Sequence, residues 1–140
     1  MDESPASCIF CRIIGGSAES SEIYRDDDCV AFLDIQPINP GHVLVCPTRH
    51  ASSFNELTPT EIASALSVAQ RVAQVQKDRL PNCQGFNLML SDGEAAGQEV
   101  PHVHFHVVPR HPGDEFGMRR VGKPSNRGEL DALAKQLQIP

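Results

Sequence analysis

Three histidines alternate with apolar residues in His102-Val103-His104-Phe105-His106-Val107-Val108. Side chains of a strand point to opposite faces in turn, and same-face neighbours stand about 6.5–7 Å apart. An extended 102–108 therefore sends Val103, Phe105 and Val107 into a core and sets His102, His104 and His106 in a row on the other face. Ser, Thr or Lys would solvate such a face equally well, so the restriction to imidazole points to chemistry. Two chemistries are open. His-x-His on a strand is a common way to offer two imidazoles to one metal ion. A hydrolytic metal site usually adds nearby carboxylates, and none follows until Asp114. The other is a row of imidazoles facing a phosphate, one neutral ring attacking phosphorus while a protonated neighbour donates to a phosphate oxygen. Adjacent cationic rings depress one another's pKa, so a mixed protonation state is expected.

The stretch leading into this strand, Ser91-Asp92-Gly93-Glu94-Ala95-Ala96-Gly97-Gln98-Glu99, carries two glycines. Glycine allows positive φ and close backbone approach, and exposed N–H groups in such loops bind anions. A second chemical pattern is Cys8-Ile9-Phe10-Cys11, where two thiolates three residues apart can share one metal ion.

The elements that must hold these groups are legible in outline. Residues 7–14 read as a short helix or turn stopped by Gly15-Gly16, and 22–25 and 29–35 as a strand pair joined by Asp26-Asp27-Asp28. Pro37-Ile38-Asn39-Pro40-Gly41 is a turn, followed by a strand at 42–46. Residues 59–80 form the clearest helix: Thr58 caps it, Pro59 suits its first position and Glu61 completes a capping box. Its apolar face, with Ile62, Leu66, Ala69 and Ala73 beside Ala65, Val68, Val72 and Val75, is wider than one sheet contact needs, leaving part for a second subunit. Strands at 86–91 and 102–108 and a terminal helix at 129–138 complete an α+β chain. It has about five antiparallel strands, one long helix and short terminal helices.

With 140 residues the chain is one domain. Hydrophobic residues at 40% and charged ones at 21% are ordinary for a globular protein, and no apolar run approaches a membrane span. The net charge of −6 argues against a nucleic-acid coat protein. Residues 1–60 hold nine acidic and three basic side chains, whereas Arg110, Arg119, Arg120, Lys123 and Arg127 make the C-terminal part locally basic. The acidic start Met1-Asp2-Glu3-Ser4-Pro5 lacks the features of a secretory signal, and an odd five cysteines argue against a disulfide framework. The expectation is a cytoplasmic protein with neither membrane nor nucleic-acid partners.

The histidine run matches the His-φ-His-φ-His-φ-φ signature of the histidine triad (HIT) superfamily of nucleotide hydrolases and transferases. Ala31-Phe32-Leu33-Asp34-Ile35, Pro40-Gly41-His42-Val43-Leu44-Val45 and Gly97-Gln98 resemble the family in the same order. The resemblance implies a single HIT-like domain over 1–140, with 1–16 as a zinc-binding segment and 111–140 as an extension. His104 is then the nucleophile that forms a nucleotidyl-histidine intermediate at the α-phosphorus, with His106 bonding the phosphate and His42 and His102 completing the catalytic row. Asp34 is implied at the ribose, Ile9, Phe10, Phe32 and Ile35 at the base, and Ser91, Gly97, Gln98 and Glu99 at ribose and phosphate. Cys8 and Cys11 resemble the cysteines that, with His50 and His102, hold a structural zinc in many members. The family also implies a homodimer acting on purine nucleoside phosphoramidates or nucleotidyl conjugates, and no magnesium motif is visible. Hydrolysis of dinucleoside polyphosphates is the alternative within the class. A non-catalytic nucleotide-binding or zinc-dependent interaction protein is the alternative outside it. Glu99 stands where phosphoramidase-like members carry Ser, and Ser91 where an amide is frequent.

Overall fold

The Thr58 hydroxyl accepts from the Glu61 amide while the Glu61 carboxylate accepts from the Thr58 amide, and this reciprocal cap starts the long helix. The computed structural model describes residues 5–117 and 122–140. Met1-Asp2-Glu3-Ser4 and two of the expected basic residues, Arg119 and Arg120, lie outside the described residues. The elements run α1 (Ile9–Ile14), β1 (Glu22–Arg25), β2 (Cys29–Leu33), β3 (Val43–Pro47), α2 (Pro59–Arg79), β4 (Gly85–Leu90), β5 (Phe105–Arg110) and α3 (Arg127–Gln136). The five strands form one antiparallel sheet in the order β1-β2-β3-β5-β4.

Alternation along the strands divides the core in two. Cys29, Ala31, Val43, Val45, Phe105 and Val107 face α2 and pack on its Ala65, Val68, Ala69, Val72 and Ala73. Val30, Phe32, Leu44 and Cys46 face the other way, against Cys8, Phe10 and Ile13 of the α1 region. Central strands buried on both faces read as continuous apolar runs, as Val43–Pro47 does.

Strand ends depart from the expectation at two places that matter for the site. The strand expected over 29–35 stops at Leu33. The Asp34 amide still bonds the His42 carbonyl, but the Asp34 carboxylate then accepts from the Gln36 amide and turns the chain out of the sheet. The strand expected over 102–108 begins only at Phe105 and runs on to Arg110. Pairing of β3 with β5 ends at Val45–Phe105. Beyond it, the Val103 amide bonds Ala51 and the His102 ring bonds the Pro47 carbonyl. That ring contact bends the first part of the histidine run off the ladder.

Gly41 leads the chain into β3 at φ 94°, and a Cβ there would lie 2.5 Å from a Leu80 methyl. The backbone angle is what favours glycine, since the Leu80 methyl could shift, and the residue it delivers is His42. The segment 15–21, a turn at Glu94–Ala96 and the C-terminal stretch through Phe116 overhang the α1 face of the sheet. No helix among the described residues is long and apolar enough to cross a membrane.

Candidate active site

Register places the floor of the site. Phe32 pairs with Leu44, Leu44 with His106, and His106 with Met89, so four adjacent strands send these side chains to one face in a single row. They form the base of a cavity of about 730 Å³. Ile9, Phe10 and Ile13 of α1 make an apolar wall, and Asp34, Ile35 and His42 line it beyond β2. Ser91, Gly97 and Glu99 reach it from the β4–β5 connection.

Main-chain groups fix where the protons sit on the imidazoles. The Ile38 amide donates to His42 Nδ1 at 3.1 Å, so a neutral His42 carries its proton on Nε2. That Nε2–H donates to His106 Nδ1 at 2.9 Å, with Asp34 Oδ2 more distant at 3.5 Å. His106 therefore keeps its own proton on Nε2. His104 Nδ1–H donates to the His102 carbonyl at 2.7 Å, which leaves the His104 Nε2 lone pair unprotonated. The His104 and His106 rings lie 4.9 Å apart, centre to centre. One edge of this pair thus offers a nucleophilic nitrogen beside an N–H donor.

Burial is the largest influence on all of these rings and holds them neutral. His106 is pushed down from 6.5 to about 4 by burial, then by repulsion from His104 and His42, with Asp34 opposing. His104 is lowered by burial, against the opposing effects of the His102 carbonyl, Asp34 and Glu99. His42 is lowered for the same first reason, again opposed by Asp34. Burial works against the protonated ring expected from the sequence, and the hydrogen bonds sort donors and acceptors by tautomer instead.

The first triad histidine is elsewhere. His102 is fully buried, is absent from the cavity lining, and stands with Cys8, Cys11 and His50 in a group whose donor atoms all lie within 4.8 Å of one another. Its Nε2–H is held by the Pro47 carbonyl at 2.8 Å, leaving Nδ1 free at 3.5 Å from both Cys8 Sγ and Cys11 Sγ. His50 Nδ1 is 3.2 Å from Cys11 Sγ. In a tetrahedral zinc site, bond lengths near 2.3 Å to sulfur and 2.0–2.1 Å to nitrogen separate S from N by about 3.5 Å. The donor set and spacing therefore fit that ion, and the bonded carbonyl behind His102 is the outer support such ligands use. Burial and the neighbouring Cys8 push the Cys11 thiol up to about 11, which a bound cation would reverse.

Of the other residues expected here, Ile9, Phe10, Phe32, Asp34, Ile35, Ser91, Gly97 and Glu99 line the cavity with His42, His104 and His106. Gln98 does not. Its side chain is buried, accepts from the Gly93 amide at 2.7 Å and donates to the Ser52 and Val100 carbonyls, so it braces the loop instead. Sequence reading missed Met89 and Leu44, which only the register places, and Glu19 and Ser20 of the α1–β1 connection. It also missed Phe116. Arg110, expected as part of a basic stretch, grips the Asp114 carboxylate and the Phe116 carbonyl and lies under the Phe116 ring. This clip returns the chain so that Phe116 lines the cavity.

These features define an α+β protein whose sheet carries a histidine-lined cavity beside a Cys/His cluster. The profile of the HIT domain matches residues 16–113, and the chain belongs to the histidine triad family. It is 41% identical over 131 residues to an uncharacterized HIT-like protein of Methanocaldococcus jannaschii, covering 94% of this chain and 98% of that one. Over 135 residues it is 36% identical to the adenosine 5′-monophosphoramidase HNT1 of Candida albicans, with 94% and 88% covered. It superimposes on a zinc-bound histidine triad family protein of Mycobacterium smegmatis with a TM-score of 0.78 and 37% identity, covering 96% and 97% of the two chains.

The depressed titration of His106 sets a pH dependence. Folded, the ring stays neutral down to about 4, whereas unfolded it takes a proton near 6.5, so acid favours the unfolded chain between those values. Stability should fall as pH drops from 6.5 to about 4, with His106 contributing on the order of 1–3 kcal/mol. Denaturant unfolding at a series of pH values should give a shallower slope for His106→Gln than for the parent; identical slopes would refute the assignment.

Proposed function

We propose that the protein is a nucleotide hydrolase that cleaves nucleoside phosphoramidates or related nucleotidyl conjugates at the α-phosphate through a covalent adduct on His104. The observation that carries this reading is the His104 Nδ1–H bond to the His102 carbonyl, which leaves Nε2 unprotonated on a residue that lines the cavity. That nitrogen attacks phosphorus, and the His106 Nε2–H donates to a phosphate oxygen where charge develops. His42 holds the His106 proton in place, itself held by the Ile38 amide. Asp34 Oδ1 is engaged by the Gln36 amide, and Oδ2 is left to accept from ribose hydroxyls, while Ile9, Phe10, Phe32 and Ile35 suit a purine face. Ser91, Gly97 and Glu99 flank the phosphate. Water then attacks the adduct, the P–Nε2 pair returns to imidazole, and a nucleoside monophosphate leaves. The phosphoramidase relative supports the substrate class.

The domain is read as one unit over 1–140, with 1–16 supplying two cluster ligands and 111–140 as an extension that returns Phe116 to the cavity. Cys8, Cys11, His50 and His102 would hold a structural zinc, whose role is to tie α1 to the chain entering β5. Five free thiols accord with a reducing, cytoplasmic setting. A second copy is proposed to cover the α2–β4 face, where Leu66, Phe86 and Leu88 are 38–46% exposed beside the open edge of β4. An unpaired edge next to an apolar groove favours a two-fold contact.

Adenosine 5′-phosphoramidate should be hydrolysed by the parent, and His104→Ala should lose at least about 10³-fold in rate. Mass spectrometry of acid-free quenched enzyme should find a nucleotidyl adduct on the parent only; binding without turnover in the parent would favour the non-catalytic alternative. Protein purified without added metal should hold one zinc per chain, and Cys11→Ser should lose it; a metal-free parent would sink the zinc reading. In sedimentation the parent should run at twice the 15.3 kDa chain mass and Phe86→Glu/Leu88→Glu as a monomer, whereas a monomeric parent would refute the dimer.

A further inference from the structure

The charge of the cavity is unusual for a site that receives phosphate. Among the described residues that line it there are three carboxylates, Glu19, Asp34 and Glu99, and no Lys or Arg. Asp34 is accounted for by the turn it bonds and by the ribose assigned to it. Glu19 and Glu99 are exposed, and among the described residues neither side chain has an ion pair. Glu99 lies on the β4–β5 connection, three residues before His102, and lines the same cavity as His104.

We infer that Glu99, aided by Glu19, makes the cavity select by the charge of the leaving group, accepting amines and above all amines bearing a second positive charge, and rejecting polyphosphates. The inference rests on the reading of His104 as nucleophile and names the substrate class of that same site. Chemically the two kinds of leaving group differ in sign. In a phosphoramidate a solvent proton joins the nitrogen, Nε2 bonds to phosphorus, and the P–N bond breaks with its electron pair left on nitrogen. The nitrogen is partly positive in that transition state, and the amine departs neutral before protonating in water. In a dinucleoside polyphosphate the P–O pair goes to oxygen, and an already anionic group gains negative charge. A carboxylate beside the leaving group stabilises the first transition state relative to the ground state and opposes the second. Repulsion of the wrong substrate is as much a source of selectivity as attraction of the right one. Single-phosphate nucleotidyl amides place only one negative charge in the cavity, next to the His106 donor.

The test is a charge series of matched size: adenosine 5′-phosphoramidates of ethylenediamine, propylamine and β-alanine, with diadenosine tetraphosphate beside them. Values of kcat/KM should fall in the order cationic, neutral, anionic, with the tetraphosphate last. Each change of unit charge should be worth roughly tenfold at low salt. Glu99→Gln should compress the series, Glu99→Gln/Glu19→Gln should compress it further, and Glu99→Asp should restore most of it. The spread should also narrow in 0.5 M salt, because the carboxylates are exposed and screened. Turnover with no charge order, or an order unchanged by both Gln variants, overturns this inference and leaves the nucleophile reading intact. Absence of turnover for every member of the series overturns that reading and this one together.

Discussion

A main-chain amide, that of Ile38, donates to His42 Nδ1, and the order of donors and acceptors in the cavity descends from this bond. It obliges His42 to carry its proton on Nε2, which obliges His106 to accept on Nδ1 and donate from Nε2. The His102 carbonyl acts in the opposite sense on His104, taking the Nδ1 proton and freeing Nε2. Two neighbouring imidazoles, His104 buried and His106 half-buried, are thereby given opposite hydrogen-bonding characters at Nε2. Burial supports this arrangement, since removal from water favours neutral rings and strengthens the hydrogen bonds that sort them. The turn 37–41, with its positive-φ glycine, exists in this geometry to bring the Ile38 amide and the His42 ring together.

The sheet supplies the second constraint. Phe32, Leu44, His106 and Met89 meet because the strands pair in that register, and a one-residue slip of any of these strands would turn its member of the row toward the α2 face. That register is held by the opposite face, where Val43, Val45, Phe105 and Val107 are buried against the helix. Packing energy on one side of the sheet thus guarantees placement of the polar row on the other.

What could be read from sequence was what local rules decide. The capping box came through residue for residue. Of the expected apolar face of α2, Ala65, Val68, Ala69, Val72 and Ala73 are buried, whereas Leu66 and Val75 are exposed and the buried Gln76 was not foreseen. The alternation in 102–108 correctly separated Val103, Phe105 and Val107 from the histidines, but it could not tell that the strand starts late. That depends on the Pro47 carbonyl, 55 residues away in sequence, accepting from the His102 ring. The same limit hid Gln98, whose amide is spent on three backbone groups, and Phe116, which a cationic Arg110 fastens by way of Asp114. Reading Arg110 as one of a locally basic stretch missed that its charge is paired with Asp114 within the fold.

The two chambers on the α1 face are mechanically joined. A helix of six residues cannot hold its own position, since nucleation costs more than so few hydrogen bonds return. The position of α1 is set instead by the Cys8 cap, by the proximity of both its cysteines to His50 and His102, and by the burial of Phe10 and Ile13. Phe10 meets His102 edge-on on one side and His104 edge-on at 4.9 Å on the other, and it packs against Phe32 on the floor. Any displacement of the Cys/His cluster therefore moves the ring that walls His104, while the His102 carbonyl that orients His104 belongs to a residue of the same cluster. A change at Cys8 or Cys11 reaches the His104 ring by two routes, one through the aromatic contact and one through the peptide. Geometry at the cluster and geometry at the cavity are for this reason a single quantity.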